Sequence, residues 1–203
     1  SGSWRGRRCL LSRELGGLLG LGLLDGLLQG RGLGVVRQQA LSLLTSFTED
    51  MARRGKSVES IWLSRALHVP SPEEVMALGL GGGDRVARLE RVRRSDGVPL
   101  AIERASLPVD VLPDPGEVET SLYAVLQRRG LRPVRAVQRI TAANLSARDA
   151  DLLEVAPGVA GLKIERIGYL PSGRLVEFTR SLYRGDAYDF AVELKLPSDE
   201  ERT

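Results

Sequence analysis

The chain is poor in the residues that most often cross-link proteins or carry catalysis. Its 203 residues include one cysteine, Cys9, and one histidine, His68. A lone cysteine excludes an intramolecular disulfide and a thiolate metal cage, and it fits a reducing cytoplasm. A lone histidine ahead of Val69-Pro70-Ser71 has no neighbours from which a Ser-His-Asp or histidine-metal constellation could be built, so His68 is expected at the surface end of a strand. No metal and no cofactor are expected. Aromatic residues make up only 4% against 42% hydrophobic, which predicts an aliphatic core. Long apolar runs are also missing: residues 15–24 are apolar, but Asp25 and Arg31 follow, and ten residues cannot span a bilayer. Arg5 to Arg8 resemble the basic region of a signal peptide, yet Glu14 intervenes and no small-x-small cleavage pattern follows, so export is not expected.

Positive charge is present but uneven. The net charge is +3, while residues 1–45 hold six arginines (5, 7, 8, 13, 31 and 37) against Glu14 and Asp25, a local +4. The remainder holds 23 cations against 24 anions and is nearly neutral. Contact with a polyanion is therefore expected at the N-terminal arm, although a solvated basic terminus explains the same charge. Glycine marks the same break, with ten of the 23 in residues 1–35. Leucines recur at helical spacing over residues 10–28, but each intervening glycine costs a helix about 1 kcal/mol relative to alanine.

Beyond Gln38 the elements alternate. Ser46 and Glu49 have the spacing of a capping box, Asp50 adds a second acid to the first turn, and Arg53, Arg54 and Gly55 close the helix. A strand over 61–69, a short helix from Ser71, and a hairpin over 87–107 follow. Then come a helix from Ser121 to 129, a strand over 134–142 and a helix over 146–153. Strands over 162–170, 175–184 and 190–196 end the chain, joined at Pro171-Ser172-Gly173 and Arg184-Gly185-Asp186. Tight turns between strands with helices interspersed predict an α+β domain on an antiparallel sheet. Gly81-Gly82-Gly83-Asp84 reads as a loop, since no helix signal follows it.

The chemistry concentrates in the hairpin. Ser95-Asp96-Gly97 suits a three-residue loop with Gly97 at positive φ, placing Arg91 across from Ala101, Arg93 from Pro99 and Glu103 from Leu89. Ala87, Leu89, Arg91 and Arg93 then share a face with Ala101, Glu103, Ala105 and Leu107. A two-residue Asp96-Gly97 loop would shift the register by one and turn Glu103 away. Two inward arginine forks suit phosphate oxygens, and a cross-strand salt bridge with Glu103 or Asp96 is the plainer reading. Ser46 and Thr48 at one helix start and Ser121 at another could add anion donors, or could simply cap. Glu177, Thr179, Ser181 and Tyr183 share a polar face opposite Val176, Phe178 and Leu182; it suits a hydroxylated ligand or solvent. Glu177 and Tyr183 lie about 20 Å apart on an extended strand, so both reach one small molecule only where that strand bends, with 184–186 as the candidate place.

Residues 44–51 (LTSFTEDM), the hairpin over 89–103, Ser121-Leu122-Tyr123 and residues 183–190 (YRGDAYDF) together resemble the effector-binding (UTRA) domain of the GntR/HutC family of bacterial transcription regulators. They are most similar to the branch that senses amino-sugar phosphates such as N-acetylglucosamine 6-phosphate and glucosamine 6-phosphate. The resemblance implies a chorismate-lyase-like fold, a central antiparallel sheet flanked by helices, in a cytoplasmic homodimer that binds DNA and a sugar phosphate. It implies that Thr48, Arg91, Arg93, Ser121 and Tyr123 hold the phosphate, and that Phe47, Glu103, Glu177 and Tyr183 surround the sugar. The family's winged-helix DNA reader is longer than the segment preceding the linker here. Ser12-Arg13, residues 23–28 and Gln29-Gly30-Arg31-Gly32 are similar to fragments of it, which marks Arg13 and Arg31 as weak DNA contacts in a truncated or degenerate reader. The implied division is a winged-helix remnant over 1–36, a linker over 37–45, the effector domain over 46–197 and a polar tail over 198–203. The implied function is a ligand-responsive regulator and not an enzyme, in which pocket occupancy orders residues 45–50 beside the linker and changes the spacing of two readers. The alternatives are a ligand-binding dimer that no longer binds DNA and a lyase-like enzyme with Glu103 or Glu177 as its acid or base.

Overall fold

The computed structural model describes residues 44–191 and the backbone pairing of 37–40; the expectations for Cys9, Arg13, Arg31, the winged-helix remnant and the polar tail lie outside the described residues. In chain order the elements are β1 (Arg37–Ala40), α1 (Phe47–Arg53), β2 (Glu59–His68), α2 (Pro72–Leu78), β3 (Val86–Ser95), β4 (Val98–Pro108), α3 (Leu122–Arg128), β5 (Arg135–Asn144), α4 (Ala147–Leu152), β6 (Ala160–Tyr169), β7 (Leu175–Arg184) and β8 (Tyr188–Ala191). Six strands form one antiparallel sheet in the order β2-β3-β4-β7-β6-β5, as an α+β chain of this pattern should. The last strand departs from expectation: β8 begins at Tyr188 and pairs in parallel with β1, outside the main sheet.

Helices of six or seven residues cannot stand on propensity, so caps and packing hold them. Ser46 and Glu49 form the expected capping box on α1, and Ser71 and Glu74 form another on α2. One face of the sheet packs against α1 and α3. Ala87, Leu89, Ala105 and Leu107 meet Leu122, Tyr123, Val125 and Leu126, while Leu100, Ala101 and Ile164 meet Phe47 and Met51. On the other face Val92, Ile102 and Leu182 cover Ala150 of α4, and Val86 and Phe178 cover Leu78 of α2. Met51 is fully buried, and its truncation to alanine would cost about 2–5 kcal/mol.

The hairpin register differs from expectation in two ways that offset each other. The loop has two residues, Asp96 and Gly97, flanked by the Ser95–Val98 pair, and both take positive φ (49° and 76°), as a type I′ turn requires. That turn alone would have turned Glu103 to the far side. A β-bulge restores it: Arg94 pairs with Pro99 but Arg93 with Ala101, so Leu100 is the extra residue. Arg91 therefore lies directly across from Glu103, not from Ala101, and Arg93 across from Ala101, not from Pro99. A second bulge falls in β7 opposite Gly168 and Tyr169. It makes Val176 the unpaired residue and packs it with Ala105, Leu107 and Tyr123, where strict alternation had placed it on the other face.

Candidate functional site

The face of the sheet toward α1 and α3 starts apolar and becomes charged, as the alternation in the hairpin predicts. Across the strands, Arg91 and Arg93 of β3, Glu103 of β4, Thr179, Ser181 and Tyr183 of β7, and Ile164 and Arg166 of β6 fall in register on this face. With Ser46, Phe47 and Thr48 of the α1 start, Leu122 and Tyr123 of α3, and Glu177, they line one small, partly open cavity. Three arginines against two glutamates leave this lining with one surplus positive charge.

The arginine pair is held rigidly. Arg91 donates from Nε and Nη2 to Oε1 of Glu103 (2.7 and 2.5 Å) and from Nη1 to the Thr120 carbonyl (2.9 Å), with its guanidinium 4.9 Å from the centroid of the Trp62 ring. Arg93 donates from Nη1 to Ser60 Oγ (2.9 Å) and to the same Thr120 carbonyl (3.0 Å), and from Nη2 to Thr48 Oγ1 (2.6 Å). Its guanidinium lies 4.7 Å from the centroid of Phe47. Because Thr48 accepts from Arg93, its hydroxyl hydrogen remains to donate. Arg93 is only 1% exposed, yet its Nε has no partner. Burial pushes that guanidinium down to about 10, with Arg91 adding to the effect and Glu103 opposing it, so it is still a cation at neutral pH. Burial alone would raise the Glu103 carboxyl; Arg91 and Arg93 overcome this and hold it below the usual range.

The other half of the cavity is built around Glu177 and Arg166. Glu177 is buried and accepts from the Tyr123 hydroxyl (2.8 Å) and the Thr179 hydroxyl (2.7 Å). Burial raises its carboxyl above the ordinary value, against the lowering influence of Arg166. Gly168 makes room for it, since a Cβ there would come within 3.0 Å of Oε2. Arg166 donates to Oε1 of Gln138 (2.9 and 2.7 Å) and to the Thr45 carbonyl (3.1 Å), which ties β6 to the segment entering α1. Tyr183, raised by burial to about 12, is wrapped by Phe47, Tyr188 and Phe190.

Of the nine residues to which the family resemblance gives phosphate and sugar roles, eight line this cavity: Phe47, Thr48, Arg91, Arg93, Glu103, Tyr123, Glu177 and Tyr183. Ser121 does not; its hydroxyl caps α3 by accepting from the Ala124 N–H (3.3 Å). Tyr123, expected with the phosphate group, directs its hydroxyl to Glu177 instead of to the arginine pair. Glu177 and Tyr183 line one cavity on a stretch of β7 that pairs with β6 in unbroken register from Glu177 to Arg184; the turn at 185–187 lies beyond both residues, and the bulge lies at Val176. Arg166 was missed. The alternation Leu162, Ile164, Arg166 places it on one face of its strand, but only pairing with β7 shows that face to be inward. Among the described residues no cluster of His, Cys, Asp and Glu could hold a metal ion, and no helix is long and apolar enough to cross a membrane.

Residues 53–189 match the UTRA domain family. The chain belongs to that family, the effector domains of GntR-type transcription regulators. It is 35% identical over 190 residues to the HTH-type transcriptional repressor NagR of Bacillus subtilis, covering 90% of this chain and 77% of that protein. It is 34% identical over 180 residues to the HTH-type transcriptional repressor PhnF of Mycolicibacterium smegmatis, covering 84% and 72%. The crystal structure of PhnF from Mycobacterium smegmatis superposes with a TM-score of 0.73 at 30% identity, over 80% of this chain and 73% of that one. The structure of the PhnF effector domain alone gives 0.72 at 32% identity, over 78% and 99%. The fold is accordingly the chorismate-lyase-like architecture of UTRA domains, and the chain is a regulator of the ligand-responsive kind.

Proposed function

We propose that the cavity binds a phosphorylated amino sugar, N-acetylglucosamine 6-phosphate or glucosamine 6-phosphate, and that occupancy modulates DNA binding by a homodimeric repressor. The observation that carries this reading is the buried Arg91–Arg93 pair, two fixed guanidiniums and the Thr48 hydroxyl facing a cavity with one spare positive charge. An anion with three acceptor oxygens would engage the Arg93 Nε that otherwise lacks a partner. Thr48, Arg91 and Arg93 would hold the phosphate, with Tyr123 lining the cavity from the α3 side. Glu103 and Glu177 supply acceptors for sugar hydroxyls or an amino group, and Phe47 and Tyr183 supply flat apolar walls. The likeness to named repressors supports the regulatory half of the reading. Such a sensor releases its ligand chemically unchanged.

A thermal-shift screen of sugar phosphates tests the proposal. A ligand at 100 times its Kd should stabilise the protein by about 2.7 kcal/mol. Arg91→Ala and Arg93→Ala should abolish that shift. No stabilisation by any sugar phosphate, or consumption of the ligand, would overturn the reading.

A further inference from the structure

The first turn of α1 supplies Ser46, Phe47 and Thr48 to the cavity wall, yet α1 has only seven residues and cannot hold its own position. From inside, Thr48 is held by Arg93. From outside, Arg132, in the loop between α3 and β5, grips Glu49 at both carboxylate oxygens (2.8 Å to Oε1, 3.1 Å to Oε2). Oε2 of Glu49 also accepts the Ser46 N–H at 2.9 Å, so ion pair and helix cap share one carboxylate. The Arg132 guanidinium lies 5.3 Å from the centroid of the Tyr123 ring, whose hydroxyl reaches Glu177 inside the cavity. One cation that does not itself line the cavity therefore joins two elements that do.

We propose that Arg132 is a positioning residue for the ligand: by tying Glu49 to the Tyr123 ring it holds the α1 first turn and α3 at a preset separation, so that Thr48 and Tyr123 face the ligand without rearrangement. The inference rests on the reading of the cavity as a sugar-phosphate site. A ligand that must order α1 as it binds loses affinity to that ordering, and a turn pinned beforehand spares it. The inner tie, Arg93 to Thr48, uses groups that a phosphate would itself engage; the outer tie does not compete with the ligand. Glu49 is suited to this. Burial raises its carboxyl, but the Ser46 N–H and Arg132 bring it below the ordinary value, so it stays charged at neutral pH.

The test is a double-mutant cycle of Arg132→Ala and Glu49→Gln, read by calorimetric titration with N-acetylglucosamine 6-phosphate and by amide exchange of α1 in the unliganded protein. Glutamine keeps the capping box and removes only the ion pair. Each single variant should weaken binding about fivefold, the scale of a partly exposed ion pair. The double variant should be no weaker than either single, because both break one tie. Arg132→Lys, which keeps the charge, should recover part of the loss. Amides of residues 49–51 should exchange faster in both single variants. Wild-type affinity in Arg132→Ala, or losses that multiply in the double variant, would overturn the inference. If the wild type binds no sugar phosphate, the functional reading fails instead, and unchanged amide exchange in Arg132→Ala would still refute the tie.

Discussion

Both faces of the sheet bury charge, but they treat it differently. On the α2 face Glu74, fully buried, accepts from the Ser71 N–H, the Ser106 hydroxyl and two nitrogens of Arg88. Burial alone would raise that carboxyl; the bonds from Arg88, Ser106 and Ser71 bring it down to about 2. On the α1 face Arg93, equally buried, keeps an Nε without a partner and is pushed down to about 10. Two arginines there share one glutamate. A saturated buried charge is structural, because nothing remains for a ligand to satisfy. An unsaturated one destabilises the free protein, and a ligand of opposite charge relieves it.

Substitutions at the two sites should separate these roles. Glu74→Ala should destabilise the fold by about 3 kcal/mol in chemical denaturation, since it strands Arg88 and the α2 cap, while ligand affinity stays at the wild-type value. Arg93→Met should act mainly on affinity. It keeps volume but gives up the bonds to Ser60, Thr120 and Thr48, so it should cost the free protein less than Glu74→Ala does, whereas sugar-phosphate affinity should fall about 100-fold. Loss of stability in Arg93→Met comparable to that in Glu74→Ala would break the contrast.

A smaller effect is expected at Glu177, whose folded-state carboxyl lies above its ordinary value. A group raised on folding contributes stability only at low pH and loses it as pH rises through the folded value. Glu177→Gln, which can still accept from Tyr123, should therefore stabilise the free protein near pH 7 by about 1 kcal/mol while weakening ligand binding. Glu74 gives the opposite sign. Its folded value of about 2 lies below the ordinary 4.5, so its contribution is complete above 4.5 and is lost as pH falls toward 2. The stability gap between wild type and Glu74→Ala should close over that window, and a gap that persists at pH 2 would show another origin for it.

Local signals in the sequence were reliable where they were self-contained. The Ser46/Glu49 box, the helix start at Ser71 and the alternation on β7 from Glu177 to Tyr183 each depend on a few neighbouring residues, and each is found. What was not legible depends on partners far along the chain. The bulge at Leu100 returns Glu103 to Arg91, and the turn alone gives the wrong face. The inward direction of Arg166 is set by β7, and that of Val176 by a bulge opposite β6. The parallel pairing of β8 with β1 joins segments at opposite ends of the described chain. Eight of the residues named by resemblance lie together in one cavity, whereas Ser121, which caps its own helix, is not in the lining.

The most direct test of the unsaturated arginine pair is a calorimetric titration of the wild type and of Arg93→Met with N-acetylglucosamine 6-phosphate and with unphosphorylated N-acetylglucosamine. The expected result is saturable binding of the phosphate ester by the wild type, little or none of the free sugar, and a loss of about 100-fold in Arg93→Met, with a smaller loss of fold stability than Glu74→Ala causes. Equal affinity for ester and free sugar, or full affinity in Arg93→Met, would contradict the account.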